Sequence, residues 1–178
     1  MNTIVPPQRS FKYFDRSKIC LIMSRKSKIG NFFLIPLETG TSAYARLVSQ
    51  YLFSFYILSE KKGNEKDLIS RIKIKKPIFS TSVYRNVFRD SKWEVIGHEP
   101  LDQSILQNMP VFFRQSKFDK DDCWLITTQP GVKARLQPKD CVDMEREAVW
   151  EYQHIEGRLR DYIAGRSNLT AERLKVTL

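Results

Sequence analysis

Residues 28–48 read KIGNFFLIPLETGTSAYARLV, in which two apolar runs are split by Glu38-Thr39-Gly40. The first run carries Phe32, Phe33, Leu34, Ile35 and Leu37, the second Ala43, Tyr44, Ala45, Leu47 and Val48. Two β-prone runs about a short Gly-containing break predict a β-hairpin. Pro36 cannot donate to a ladder, which places it on an edge or at the strand's last pair. Residues 51–58, YLFSFYIL, predict a central strand buried on both faces. Residues 60–67, EKKGNEKD, contain no apolar side chain and predict an exposed loop with Gly63-Asn64 at its tip. Across residues 68–78 the alternation sets Ile72 and Ile74 against Arg71, Lys73 and Lys75, which predicts a half-exposed strand.

Residues 82–88 suit either strand or helix. Beyond them the pattern predicts a strand over residues 93–98, a helical turn over 101–107 and a strand over 111–113 after Pro110. Another strand, residues 123–128, is closed by the turn-forming Gln129-Pro130-Gly131. Ala148, Tyr152, Ile155, Leu159 and Tyr162 with Ile163 recur at spacings of three and four, the stripe of an amphipathic helix. Gly157 weakens that helix and Gly165 is its expected stop. Many strands followed by one helix give an α+β fold: a strongly bent, mostly antiparallel sheet with the C-terminal helix packed on it. The expected division is a basic extension over residues 1–27, one α+β domain over 28–165 and a tail over 166–178.

A length of 178 residues suits a single domain with a sizeable core. No apolar run nears the roughly 20 residues that span a bilayer, and the cluster at residues 19–23 is too short for a signal segment. Cys20, Cys123 and Cys141 are odd in number and widely spaced, which favours reduced thiols and a cytoplasmic location. The net charge of +10 is unevenly spread. Residues 1–28 hold +6 and residues 61–92 hold +7, so the rest of the chain is slightly acidic. A localised anionic partner fits that distribution better than general stickiness.

Candidate chemistry is sparse. His98 and His154 stand in no catalytic spacing, and a zinc site from Cys123, Cys141 and His154 would lack both the paired-cysteine and the paired-histidine spacing. Asp143, Glu145, Glu147 and Glu151 are explained by the macrodipole at the start of the terminal helix. No phosphate-loop, dinucleotide or nucleophile-elbow pattern is present, so the expectation is a non-enzyme that needs no cofactor and no metal. Cations interleave with aromatics at Lys75, Lys76, Phe79, Tyr84, Arg85, Phe88 and Arg89, a mixture able to bind phosphates and stack on bases. The competing reading makes those aromatics core and the cations a solvated face.

The ordered set Gly30, Phe32-Phe33, Ile35-Pro36-Leu37, Gly40 and Tyr44-Ala45-Arg46-Leu47-Val48 resembles the opening of the immunity protein 26 family of bacterial polymorphic toxin systems. Trp93-Glu94-Val95-Ile96-Gly97, Met109-Pro110-Val111-Phe112-Phe113, Glu147-Ala148-Val149-Trp150 and His154 to Asp161 with Arg158 continue the likeness in order. Asn31 stands where that family is expected to carry an acid, and Ala45 where it carries glycine. The resemblance implies an immunity protein that binds and neutralises a cognate, nuclease-type toxin domain one-to-one, in a polymorphic or contact-dependent inhibition system. The family-motif positions Gly30, Pro36, Tyr44, Arg46, Trp93, Gly97, Trp150, His154 and Arg158 are then structural. The toxin-binding candidates are Lys61, Lys62, Lys66, Arg71, Lys73, Lys75, Lys76, Arg85 and Arg89. The alternative function is a basic nucleic-acid-binding module.

Overall fold

The computed structural model describes residues 25–38, 40–58, 64–128 and 133–178. Most of the 1–27 extension, Lys61 and Lys62, and the turn at Gln129-Pro130-Gly131 lie outside the described residues.

The fold is α+β, built on two mostly antiparallel sheets. Strands β1 (Asn31–Pro36) and β2 (Ser42–Ser49) form the hairpin, with Pro36 opposite Ser42 in its last pair, where no proline N–H is required. Strand β3 (Leu52–Tyr56) is buried along its whole length between β2 and β4 (Phe79–Val83). Strand β5 (Glu94–His98) closes one edge beside β1. A second, four-stranded sheet holds β6 (Val111–Gln115), β7 (Cys123–Thr127), β8 (Lys133–Leu136) and the short β9 (Glu145–Arg146), which runs parallel to β6. Strand β10 (Val149–Trp150) returns to the first sheet, parallel to β4 at its other edge.

Residues 65–73, expected as loop and half-exposed strand, form helix α1 (Glu65–Lys73). Asn64 accepts from the Asp67 N–H and Asp67 accepts from the Asn64 N–H, a reciprocal cap that satisfies two helix-end donors. The apolar stripe is Ile69 with Ile72, both buried, whereas Ile74 lies beyond the helix and is 86% exposed. Residues 82–88 divide between β4 and a short helix α2 (Val87–Asp90). Helix α3 (Gln103–Gln107) follows an Asp102 cap. The terminal helix α4 (Tyr152–Ile163) begins later than its periodicity suggested, because residues 149–150 pair with β4 instead. Of its expected stripe only Ile155 and Leu159 are fully buried, and Tyr162 and Ile163 are exposed. Gly165, at φ +65°, ends it as expected. Within residues 166–178, helix α5 (Leu169–Arg173) forms, and the Leu174 and Thr177 carbonyls accept from Arg146 Nε (2.9 Å) and Gln115 Nε2 (2.7 Å) of the second sheet.

The two faces of the six-stranded sheet bury different things. One carries Phe33, Phe53, Phe55, Val87, Phe88 and Trp93 against Ile155 and Leu159 of α4. There Trp93 meets Phe53 and Phe55 edge-on at 5.6 and 5.9 Å, and its Nε1–H donates to Glu156 at 2.9 Å. The other carries Phe32, Tyr44 and Tyr56 against Ile69 and Ile72 of α1.

Two glycines govern how close elements approach on this second face. Gly30 has φ +94°, and a Cβ there would lie 2.2 Å from the Glu99 carbonyl oxygen. At Gly97 a Cβ would meet only the end of the Ile69 side chain, at 2.3 Å. Gly30→Ala should therefore cost about 3 kcal/mol or more, because strain and a backbone clash combine. Gly97→Ala should cost about 1–2 kcal/mol, since Ile69 can shift. Urea unfolding of both variants checks the order; equal losses would contradict this account of the packing.

Candidate functional site in a basic cleft beside the first helix

The cations of the middle segment do not form one patch. Lys66, Arg71 and Lys73 lie on α1, with Lys75 and Lys76 just beyond its end, on the face of the sheet that α1 covers. Arg85 and Arg89 flank or lie on α2, whose Val87 and Phe88 pack on the opposite face. Arg89 is occupied by Asp90 at 2.6 Å. The interleaved aromatics divide too: Phe79 and Phe88 are buried, and only Tyr84 is exposed.

Of the α1-side cations, Lys73, Lys75 and Lys76 border a cleft of about 370 Å³. Its floor is Arg46, Ser54 and Tyr56 from β2 and β3, one wall is Lys73, Lys75 and Lys76, and the other is Ser104 and Asn108 around α3. Arg46 is 2% exposed. Its position in β2, opposite Phe32 and Ser54, turns it to the same face as Tyr44 and Tyr56. The guanidinium lies 4.6 Å from the Phe32 ring centre, and Nη2 donates to the Glu99 and Pro100 carbonyls at 3.3 and 3.2 Å. Its Nε–H is buried with no acceptor among the described residues. Burial pushes the Arg46 pKa down, opposed by Tyr56, Asp102 and Glu99. Burial pushes the Tyr56 phenol up, opposed by Arg46 and by a hydrogen bond with Ser54. Ser54 and Ser80 hydroxyls meet at 2.8 Å behind them. On the wall, Lys73 Nζ pairs with Glu99 at 2.6 Å and Lys75 Nζ donates to the Ile57 carbonyl at 2.9 Å. Lys76 is exposed.

Sequence reasoning grouped Arg46 with the structural positions and missed its place beneath the cleft. A cation inside the apolar run AYARLV was the available signal. The glycine at position 30 belongs to the same arrangement, since the Glu99 carbonyl it admits is an acceptor for Arg46. Asn31, at the position expected to be acidic, is 2% exposed. Its amide donates to the Arg25 and Lys26 carbonyls at 2.7 and 3.1 Å, and its oxygen lies 3.2 Å from His98 Nδ1. A carboxylate has no hydrogen to give those carbonyls, so asparagine suits this position. Burial, Lys28 and Arg46 all push the His98 pKa down, holding the ring neutral. Ala45, the other departure, is fully buried in the core. Tyr44, Trp93 and Trp150 are buried as well.

Three of the four acids at the start of α4 have side-chain partners elsewhere in the fold. Glu145 binds Arg158, Glu147 binds Arg114, and Glu151 accepts from Asn86 at 3.0 Å. Arg158 therefore faces Glu145 across the fold, and His154 is exposed on the helix. Cys123 and Cys141 are buried thiols whose Sγ–H groups point to the Lys120 and Gln137 carbonyls, each at 3.6 Å. Among the described residues no group of three His, Cys, Asp or Glu side chains could hold a metal ion.

A family model described as immunity protein 26 matches residues 28–124, more than half of the chain. The chain belongs to that family. No curated protein and no solved structure matches it. The immunity protein 26 match runs from the residues before β1 to Trp124 in β7, so it contains the hairpin, α1 and every residue bordering the cleft. The blocks at residues 147–150 and 154–161 lie beyond it. The family name is that of immunity proteins, and immunity implies a toxin as partner. No helix among the described residues is long and apolar enough to cross a membrane.

Burial and the neighbouring Cys123 push the Cys141 thiol up from 9.0 to about 11. A raised acid pKa favours the protonated form in the folded state, so stability falls as pH rises from about 9, where the unfolded thiol ionises, to about 11. Cys141→Ser should flatten that part of the pH–stability curve. Native protein at pH 8 should also leave Cys123 and Cys141 unlabelled by iodoacetamide until it is unfolded. Rapid labelling of both in the native state would refute this.

Proposed function

We propose that this immunity protein neutralises its cognate toxin by one-to-one surface contact, without catalysis, through the basic face that α1 and the segment after it present. The observation that carries this reading is the membership of the immunity protein 26 family over a stretch that includes α1 and its cations. A toxin domain with an acidic face would fit such a surface. The toxin is assigned to the nuclease type of a polymorphic or contact-dependent inhibition system, and the complex to the cytoplasm. Charge at this surface acts first on encounter: cations on an exposed helix steer an acidic partner and speed association.

Nucleic-acid binding is the alternative outcome. Two of the three aromatics that would have stacked on bases, Phe79 and Phe88, are buried, which removes most of that platform.

The decisive experiment measures association of the full chain with the co-encoded toxin domain, and its protection of growing cells. Lys66→Glu with Lys73→Glu should slow association about tenfold or more at low salt, with a smaller effect as salt rises. The exposed Lys73–Glu99 pair lost in that variant is worth under about 1 kcal/mol, so the fold should survive. Unchanged association would move the interface off α1. Salt-steep binding to unrelated RNA or DNA, with no toxin complex, would replace the reading with the nucleic-acid one.

A further inference from the structure

The basic cleft has a property that toxin binding does not require: a buried cation at its floor with an unused donor. We propose that this cleft is a binding site for a phosphate group, carried by a small phosphorylated molecule. Three observations carry the proposal. First, the site is built rather than incidental. Arg46 is 2% exposed, it borders the cavity, and its Nε–H has no acceptor among the described residues. A buried unpartnered guanidinium N–H is costly, and an oxyanion drawn down onto Arg46, with a shift of the groups that cover that nitrogen, would satisfy it. Second, the charge matches a dianion. Arg46, Lys73, Lys75 and Lys76 border the cavity, and the carboxylates facing them are Glu99, paired with Lys73, and Asp102, felt by Arg46. Four cations against two carboxylates leave +2, the complement of a phosphate monoester rather than of a single carboxylate. Third, the remaining polar groups suit a tetrahedral oxyanion. Tyr56 brings a hydroxyl and Asn108 the second N–H of its amide, the first being given to the Ser104 carbonyl, and about 370 Å³ accommodates a phosphate with a small organic group attached.

The site stands apart from the toxin reading. Phosphate binding by a protein that meets no toxin would leave this inference intact. Toxin neutralisation by a protein that binds no phosphate would remove this inference alone.

The test is calorimetric titration of the full chain with inorganic phosphate, with acetate as the carboxylate control and a duplex DNA as the polymer control. Phosphate is expected to bind, and acetate to bind at least about tenfold more weakly, since it carries half the charge and fewer acceptor oxygens. Lys75→Gln with Lys76→Gln changes exposed side chains only and should weaken phosphate about tenfold or more. Its thermal midpoint without phosphate should match that of the parent chain. Arg85→Gln with Arg89→Gln, on the opposite face of the sheet, should leave phosphate affinity unchanged. Arg46→Lys keeps a charge but removes the Nε–H and should lose binding too; the lysine pair decides the matter if that variant does not fold. No detectable heat with phosphate at tens of millimolar, equal affinity for acetate, or an unaltered affinity in the Lys75/Lys76 variant would each overturn the proposal. Tighter binding of duplex than of phosphate, abolished by the same two substitutions, would reassign the cleft to nucleic acid.

Discussion

The two sheets are joined by an apolar cluster of Val48, Leu52 and Phe112 and, beside the terminal helix, by one guanidinium. Arg158 projects from α4 with its plane 3.8 Å from the Phe79 ring centre and 5.3 Å from that of Trp150, while Nη1 donates to Glu145 at 3.0 Å. Phe79 and Trp150 belong to the six-stranded sheet, and Glu145 belongs to β9 of the other. Helix, first sheet and second sheet therefore meet at a single side chain that is 14% exposed. Taking that charge out of water is costly, and the stacked rings and the bidentate carboxylate offset the cost only while all are in place. An arginine is needed there, since a lysine ammonium cannot stack flat on one ring and fork onto a carboxylate together. On the same helix Glu156 holds the indole N–H of Trp93, so α4 is fixed at both sides of the aromatic core.

With that face closed, the other face of the sheet is left to a more polar arrangement. Helix α1 is seated by Ile69 and Ile72, and Gly97 leaves room for Ile69 against β5. Beyond the end of α1 the sheet is covered only partly, and Arg46, Ser54 and Tyr56 border the gap together with the apolar Val48 and Ile72. The cleft is thus a consequence of helix length. A capped helix that ends at Lys73 cannot cover β2 as far as Val48, and the cations that follow it, Lys75 and Lys76, line the opening instead. Strong packing on one side of a sheet permits a half-covered, charged surface on the other without loss of the fold.

The hairpin, the buried β3 and the Gly165 stop were legible in the sequence because each is a local signal: turn chemistry, an apolar run broken only by Ser54, a glycine just past the last helical residue. Helix α1 was not legible from its period. Within residues 68–75 the alternation of Ile72 and Ile74 with Arg71, Lys73 and Lys75 imitates a strand, and only Ile69 with Ile72 marks the helical stripe. The deciding signal lies outside the apolar positions, in the Asn64–Asp67 cap, which falls inside the segment expected as an exposed loop. The partners of the acids before α4 were not legible for a related reason. A dipole argument needs only neighbours in sequence, whereas Glu145 and Glu147 find their arginines 13 and 33 residues away. The charge run over residues 61–92 likewise crosses from one face of the sheet to the other between Lys76 and Arg85, and net charge along a sequence carries no record of a face.

That division separates two physical roles among cations of equal formal charge. Those on the outer side of α1 stay hydrated, and their field is damped within about 8 Å at physiological salt, so they act on approach and orientation. Arg46 is different. It lies under protein, where its field is little screened, and it has already lost its water, so a partner reaching it displaces no shell from the cation. Its contact is short-ranged and selective, and the Glu99 and Pro100 carbonyls fix the guanidinium before any ligand arrives. Preorganisation of this kind lowers the entropy lost on binding. It is also what links the glycine at position 30 to the chemistry of the cleft, because any side chain there would push away the carbonyl that holds the arginine still.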